Sequence, residues 1–338
     1  MSEEKIPDKM TAVILDSYTG VDALRIVKRS VPKPGPNEVL VKVAASPINP
    51  SDLAFLEGLY GFKKPTPVVP GFEGSGTVVA VGSGMMGRYL NGKRVACISQ
   101  GQRDGVWAEY MVTTTNLALP LDRSVSFDQG AMSAVNPLTA MAFLSLAKEG
   151  NHQTIVQTAA ASALGRMVDR LCQRYGIQVI NIVRRETQVE LLKNEGAKLV
   201  LNSSDSKFDQ HLSDICQQYQ PHLAFDAVAG SLTMKVLEAM PSHSKVIVYG
   251  GLSYKPVQAN PGQLIFQDKS IIGFLLSTWL RRKNIIQSLK IWQRAQKLLT
   301  TDLKSKIRGH YPLSEVQKAI KEYQKQMTDG KCLLRSEH

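Results

Sequence analysis

Two textures of hydrophobic and polar positions divide the chain. Up to about residue 125, short alternating or β-branched runs are broken by Gly and Pro: MTAVIL, EVLVKVAAS, GSGTVVAVG, KRVACIS and WAEYMVTT. Runs of period two between turn residues predict strands of an all-β, barrel-like domain. From about Gln129 strands and helices alternate: a helix over Leu138–Ala147, strand TIVQTA, a helix over Gly165–Tyr175 and strand QVINIV. The series continues through helix TQVELLKNEG, strand KLVLN, helix SDICQQY, strand HLAFDAV, helix MKVLEAM and strand KVIVYGG. Repeated βαβ units predict a parallel, doubly wound sheet, because parallel neighbours need a crossover between them. After Gly273 follow a helical stretch from Asn284 to about Leu299, the segment HYPLSEVQKAIKEYQKQ and a strand-like KCLLR. These shifts predict a first domain over 1–125, completed by 273–338, and a second over 126–272.

Composition narrows the classes. With 338 residues, 43% hydrophobic and 21% charged, the chain can bury two cores, which excludes a disordered or fibrous protein. The net charge of +12 favours anionic partners such as phosphate-bearing cofactors or acyl-CoA. The basic residues are dispersed, with no run of five, and this argues against a nucleic-acid tail. Cys97, Cys172, Cys216 and Cys332 form no C-x-x-C pair and read as reduced, mostly buried thiols. The opening MSEEKIPDKM has no apolar core and carries acids, so the expected compartment is the cytoplasm. The uncharged stretch Gln129–Ala147 is broken by Pro137 and diluted by Asn136 and Thr139, so no membrane span is expected.

The strongest local chemical signal is QTAAASALGRMVDRL, which follows a predicted strand and opens a predicted helix. A dinucleotide fingerprint needs that context. Its three glycine positions become Ala160, Ser162 and Gly165, small enough to let the turn backbone approach a pyrophosphate at a helix N-terminus. A plain strand–turn–helix would show the same residues. About twenty residues on, where an acid would hold the ribose 2′-hydroxyl of NAD, the next strand ends in Arg184 and Arg185. Two guanidiniums suit a 2′-phosphate and so select NADPH over NADH, although a solvent-facing strand end would carry them equally well. Three other motifs fail. GRYLNGKR, Gly87–Arg94, lacks the Ser/Thr of a P-loop and precedes a strand. The histidines at 152, 211, 222, 243, 310 and 338 form no metal pair, and no G-x-S-x-G elbow is present.

The blocks INPSDLAFLEGLYG, PVVPGFEGSGTVVAVG, GKRVACI, DGVWAEYMV, VNPLTA, KVIVYGG and GKCLL, in that order, resemble the medium-chain dehydrogenase/reductase superfamily over nearly the whole chain. The resemblance implies an α/β protein: a Rossmann doubly wound parallel sheet domain plus a GroES-like β-barrel catalytic domain. Zinc-dependent alcohol dehydrogenases of the superfamily have Cys where Asn49 stands and His where Phe72 stands, and they carry a four-cysteine loop that is missing here. Glu73 alone survives from that neighbourhood and makes no tetrahedral zinc site. The chain therefore resembles the zinc-free branch of quinone oxidoreductases and mitochondrial-type 2-enoyl thioester reductases.

That resemblance implies hydride transfer from NADPH to a quinone or an activated double bond. NPSDLAFLEGLYG and LIFQDKSIIGFLLSTWL look closest to the enoyl thioester reductases, in which the tyrosine at Tyr60 is catalytic. Asn136 matches a residue near nicotinamide and substrate, with Thr139 beside it on the cofactor side. Ala161, Ser162, Ala163 and Leu164 fall on the pyrophosphate loop, and Arg184 and Arg185 on the 2′-phosphate site. Tyr249, Gly250 and Gly251 flank the nicotinamide, Phe274, Leu275 and Leu276 cover it, and Lys331 returns towards the cofactor. Lys63, Lys64, Arg281, Arg282 and Lys283 are candidates for a CoA-type carrier, or simply solvated surface. Two departures stand out: Ala163 replaces the usual loop glycine, and no mitochondrial presequence is expected. The superfamily also implies a homodimer, with KVIVYGG and the following strand as the edge. A binding protein that keeps the fold without turnover is the reading from another class.

Overall fold

A computed structural model describes residues 5–99 and 101–336 of the protein, so MSEE of the N-terminal segment, Gln100, Glu337 and His338 lie outside the described residues. Contacts divide the chain into two compact units, residues 1–135 with 296–338, and residues 136–295.

The first unit opens with an antiparallel hairpin of β1 (Lys9–Leu15) and β2 (Leu24–Ser30). There follow β3 (Glu38–Pro47), α1 (Pro50–Leu56), β4 (Glu73–Val81), α2 (Met85–Leu90), β5 (Arg94–Ile98), β6 (Tyr110–Thr114), β7 (Ala118–Pro120) and α3 (Phe127–Ala131). The alternating runs form strands as their pattern predicts, and β3 buries Val39, Val41 and Val43 against a core centred on Phe55 and Trp107. The segment 126–135 stays with this unit. Ser75 Oγ donates to Phe127 O at 2.6 Å, and Gln129 exchanges two hydrogen bonds with the backbone of Ser305.

The second unit comprises α4 (Asn136–Glu149), β8 (Thr154–Thr158), α5 (Ala163–Arg174), β9 (Gln178–Val183), α6 (Glu186–Asn194), β10 (Leu199–Asn202), α7 (Phe208–Tyr219) and β11 (Leu223–Asp226). It continues through α8 (Ser231–Ala239), β12 (Lys245–Val248), α9 (Pro261–Phe266), β13 (Ser270–Gly273), α10 (Leu276–Arg281) and α11 (Ile285–Leu298). Its six strands are all parallel, in the order β10-β9-β8-β11-β12-β13. That is the doubly wound order of a dinucleotide fold. The sheet ends as expected on the strand KVIVYGG and the strand that follows it: β12 pairs on both sides, and β13 is the outermost strand. Its sequence, SIIG, is too short to show a pattern. Most of 273–295 stays with this unit, since α10 packs on α4 and Phe274 N–H donates to Val248 O at 2.9 Å. No helix among the described residues is long and apolar enough to cross a membrane.

The chain then returns to the first unit with β14 (Ile307–Pro312), α12 (Val316–Lys325) and β15 (Lys331–Arg335). β15 pairs antiparallel with the end of β3, and together they belong to a sheet ordered β14-β15-β3-β4-β5-β7, with β6 also on β3. Ile48 N–H donates to Cys332 O at 3.0 Å, which brings Lys331 beside Asn49.

That junction holds three charged groups, each at most 2% exposed: Asp52, Glu73 and Lys331. Asp52 turns back from the third position of α1 to accept Asn49 N–H at 2.8 Å, half of a capping box. Its other oxygen accepts Phe72 N–H at 3.1 Å. Burial pushes the Asp52 carboxyl up to about 7, opposed by the Asn49 amide, reinforced by the nearby Glu73 charge, and opposed again by Lys331. A raised carboxyl binds its proton more tightly folded than unfolded. Its stabilising contribution is therefore complete below about pH 4 and is lost as pH rises through about 7. Asp52→Asn is expected to reduce the decline of Tm between pH 4 and 7, whatever its effect on Tm at a single pH. Parallel Tm-against-pH curves for variant and wild type would show that Asp52 does not titrate in this window.

Candidate active site

In the second unit the sharp turn after β8 falls on Ala159, a non-glycine residue at φ 50°. Ala160 is fully buried, with its N–H on Ile182 O at 3.2 Å. Ser162 caps α5, its hydroxyl accepting Gly165 N–H at 3.0 Å. A Cβ on Gly165 would lie 2.4 Å from Ala160 O, so only glycine lets the helix start this close to the turn. The expected loop residues therefore divide their tasks. Ala161 and Leu164 are buried, Ser162 caps, and Ala163 opens the helix with no acidic side chain in its first turn. Small side chains and the positive end of a twelve-residue helix fit a pyrophosphate.

Arg184 and Arg185 follow β9 directly, and Arg185 is the residue before α6. Both are exposed, and among the described residues neither guanidinium has a carboxylate partner. The nearest acid in sequence, Glu186, accepts from Asn202 Nδ2 at 3.3 Å. The turn is fixed by Gln188 Oε1 accepting Arg184 N–H and Ser204 Oγ donating to Arg184 O. Arg184 is thus held at the strand end by its backbone.

One buried acid was not singled out from sequence. Asp226 ends β11 fully buried and accepts Thr158 Oγ1 and Thr233 Oγ1, each at 2.6 Å, and the amide of Val228 at 2.8 Å. It ties β8, β11 and α8 together at the carboxyl end of the sheet, where such folds bind their ligands. The only signal was an acid closing an apolar strand in HLAFDAV. Nearby, Phe143 of α4 stacks on Phe225 at 4.0 Å and touches the rings of Tyr249 and Phe274 at 4.9 and 5.1 Å. The expected Tyr249 and Phe274 are therefore brought together on one ring. Gly250 sits where a Cβ would meet Ala227 O at 2.8 Å, whereas Gly251 faces open space. Leu275 is 56% exposed and Leu276 opens α10. Asn136 and Thr139 occupy the first turn of α4, three residues apart on one face.

In the first unit Tyr60 is half-buried, its ring 4.8 Å from Phe72 and 5.1 Å from Phe62. Among the described residues nothing bonds its hydroxyl. Burial, then the charge of Asp52, raises its pKa, so the phenol stays a proton-bearing donor. Lys64 is not available to a carrier, because it is buried with its ammonium on Ser99 Oγ at 3.0 Å and Arg103 O at 2.6 Å. Lys63, Arg281 and Arg282 are exposed, and Lys283 pairs with Glu149 at 3.6 Å.

The superfamily raises the question of zinc, which these residues do not fit. Asn49 offers an amide already bonded at both ends, to Glu73 through its nitrogen at 2.9 Å and to the Lys331 ammonium through its oxygen. Phe72 offers no donor, and Glu73 Oε2 is occupied by the amides of Ala134 and Val135 at 3.1 and 2.9 Å. No group of three His, Cys, Asp or Glu residues that could hold a metal occurs among the described residues. All four cysteines are buried and unpaired, and burial pushes the Cys97 thiol up to about 12. The Lys331 ammonium, expected near the cofactor, rests on Asn49, on Ile48 O at 3.3 Å and on the Tyr323 hydroxyl at 3.4 Å.

Comparison with known proteins matches this architecture. Residues 35–123 match the family described as the alcohol dehydrogenase GroES-like domain, and residues 163–291 the zinc-binding dehydrogenase family. A mitochondrial enoyl-[acyl-carrier-protein] reductase of Arabidopsis thaliana is 32% identical over 80% of this chain and 72% of its own. One of Caenorhabditis elegans is 31% identical over 82% of both chains. The crystal structure of a protein from Mesorhizobium loti, assigned as an NADPH:quinone reductase, superposes with a TM-score of 0.92 at 35% identity, covering 98% of this chain and all of that one. Two units with these folds and relatives at these identities place the chain among the nicotinamide-using oxidoreductases of the medium-chain dehydrogenase/reductase superfamily, in its quinone oxidoreductase and enoyl reductase branch.

Proposed function

We propose that the protein is a zinc-free, NADPH-dependent reductase of activated carbon–carbon double bonds, with a 2-enoyl thioester as acceptor. The observation that carries this reading is the Tyr60 hydroxyl: half-buried, unbonded among the described residues and kept protonated. The bound cofactor supplies a hydride to the β-carbon of the acceptor. Charge then builds on the thioester carbonyl oxygen, where the Tyr60 O–H donates a hydrogen bond that strengthens as the oxygen becomes more negative. The same phenol can pass its proton on as the α-carbon is protonated. No Lewis acid is required, since conjugation to the thioester already polarises the alkene.

Ser162 and the leading amides of α5 hold the pyrophosphate, and Arg184 and Arg185 hold the 2′-phosphate that separates NADPH from NADH. Tyr249, Gly250 and Phe274, seated on Phe143, line the nicotinamide, with Leu275, Leu276 and Thr139 beside it. Asn136 offers an amide to nicotinamide or substrate. Exposed Lys63, Arg281 and Arg282 suit the phosphates of a carrier. A quinone acceptor is the second reading, supported by the 35% identical Mesorhizobium loti structure.

A homodimer is part of the proposal. β13 is an unpaired sheet edge, and Ile265, Phe266 and Ile272 beside it are 69%, 86% and 43% exposed. Light scattering at micromolar concentration is expected to give twice the 37.2 kDa chain mass for wild type and a monomer for Phe266→Asp. A monomeric wild type would contradict the pairing.

NADPH oxidation with a medium-chain trans-2-enoyl-CoA and with 1,4-benzoquinone tests the activity. The thioester should be reduced, and Tyr60→Phe should lower that rate by about 10²-fold. Turnover of quinone alone, unaffected by Tyr60→Phe, would make the protein a quinone reductase. NADPH binding without any turnover would make it a binding protein. In the same assay Arg184→Ala/Arg185→Ala should weaken NADPH at least tenfold and leave NADH unchanged, and equal weakening of both would remove the 2′-phosphate assignment.

A further inference from the structure

The buried charges of the first unit do not follow from the proposed reaction, because neither Asp52, Glu73 nor Lys331 touches solvent. Their hydrogen bonds are complete. The ammonium of Lys331 has three donors and three acceptors, Ile48 O, Asn49 Oδ1 and the Tyr323 hydroxyl. Asn49 passes the interaction on by donating Nδ2–H to Glu73 Oε1 at 2.9 Å. Glu73 Oε2 then accepts the amides of Ala134 and Val135, the two residues ahead of Asn136. The positions at which zinc enzymes of the superfamily place Cys and His are Asn49 and Phe72 here. The cation at this junction is therefore a side chain from the last strand, not an ion.

We propose that the Lys331 ammonium is the built-in counter-charge of this metal-less junction and that, through Asn49 and Glu73, it positions the backbone leading into Asn136. Lys331 is then a positioning residue for turnover and not a cofactor contact. An amide between an ammonium and a carboxylate carries charge complementarity across a side chain that is itself neutral. Each end fixes which way the amide points, since only its oxygen can accept and only its nitrogen can donate. Removing the ammonium leaves Glu73 as a buried carboxylate without a nearby cation, which destabilises more than removing both charges together. The inference rests on reading Asn136 as a site residue, and its stability arm is independent of that reading.

The test compares Lys331→Met, Glu73→Gln and the double variant in the full chain. Lys331→Met is expected to lower kcat at least tenfold while the NADPH Kd, measured by fluorescence titration, stays within threefold of wild type. The double variant is expected to recover at least half of the Tm lost by Lys331→Met. A tenfold weaker NADPH Kd with kcat retained would overturn the proposal in favour of a cofactor contact, and additive Tm losses would overturn the counter-charge. Unchanged kcat and Kd would overturn the positioning role. Where Lys331→Met yields no folded protein, recovery of folding in the double variant supports the counter-charge. Failure of both while Glu73→Gln alone folds overturns it.

Discussion

Two carboxylates taken almost entirely out of water set the terms for the first unit, since a buried charge survives only where every lone pair is bonded and a positive charge is close. All four oxygens of Asp52 and Glu73 accept a hydrogen bond. Four backbone amides and one side-chain amide supply those bonds, and they come from the start of α1, the entry to β4 and the approach to Asn136. The ammonium comes from β15, close to the end of the chain. The closing segment is therefore not an appendage. Without β15 beside β3 the Asn49 amide that bonds Glu73 would lose the ammonium on its other end. Tyr60 and its aromatic neighbours Phe62 and Phe72 are part of the same arrangement, because Phe72 N–H is one of the Asp52 donors.

The second unit meets a different constraint, the close approach of a helix to a turn. Gly165 is needed because Ala160 O occupies the place of a side chain, while Ala159 takes the left-handed conformation that glycine would ordinarily supply. A fingerprint weakened in its glycines is thus restored by geometry. The position that must remain glycine is glycine, and the positions that changed carry side chains no larger than a hydroxymethyl. Asp226 fastens the same end of the sheet, bonding Thr158 at the end of β8 and, through its backbone oxygen, the amide of Tyr249. Arg184 and Arg185 stand exposed just beyond β9, and among the described residues no carboxylate pairs with either guanidinium.

The fold was legible where periodicity is strong and chain order is informative. Strands such as EVLVKVAAS and QVINIV, and the alternation of strands and helices after Gln129, follow from burial on one or both faces of a sheet. The short elements were not legible. SIIG has four residues and no alternation, so that strand follows from its place after KVIVYGG and not from a pattern of its own. PSDLAFL reads as a helix only once Asp52 is seen turning back to Asn49. In the site, the loop and the arginine pair announce themselves by spacing. Asp226 does not, because a strand-terminal acid looks the same whether it faces solvent or bonds two threonines. Lys331 is the instructive case. The resemblance implied a place towards the cofactor, and the partners its ammonium has here, Asn49 and Tyr323, lie 282 and 8 residues away, a pairing that no local pattern encodes.

In the proposed reaction the Tyr60 phenol stabilises the substrate's carbonyl oxygen and Lys331 balances the buried acids, so that reaction calls for no metal. The most direct measurement is NADPH-dependent turnover of an enoyl thioester by protein stripped with a strong chelator, with metal content determined on the same sample by plasma mass spectrometry. Full specific activity in protein retaining far less than one metal per chain is the predicted result. Activity lost on stripping and restored by stoichiometric zinc would contradict the account.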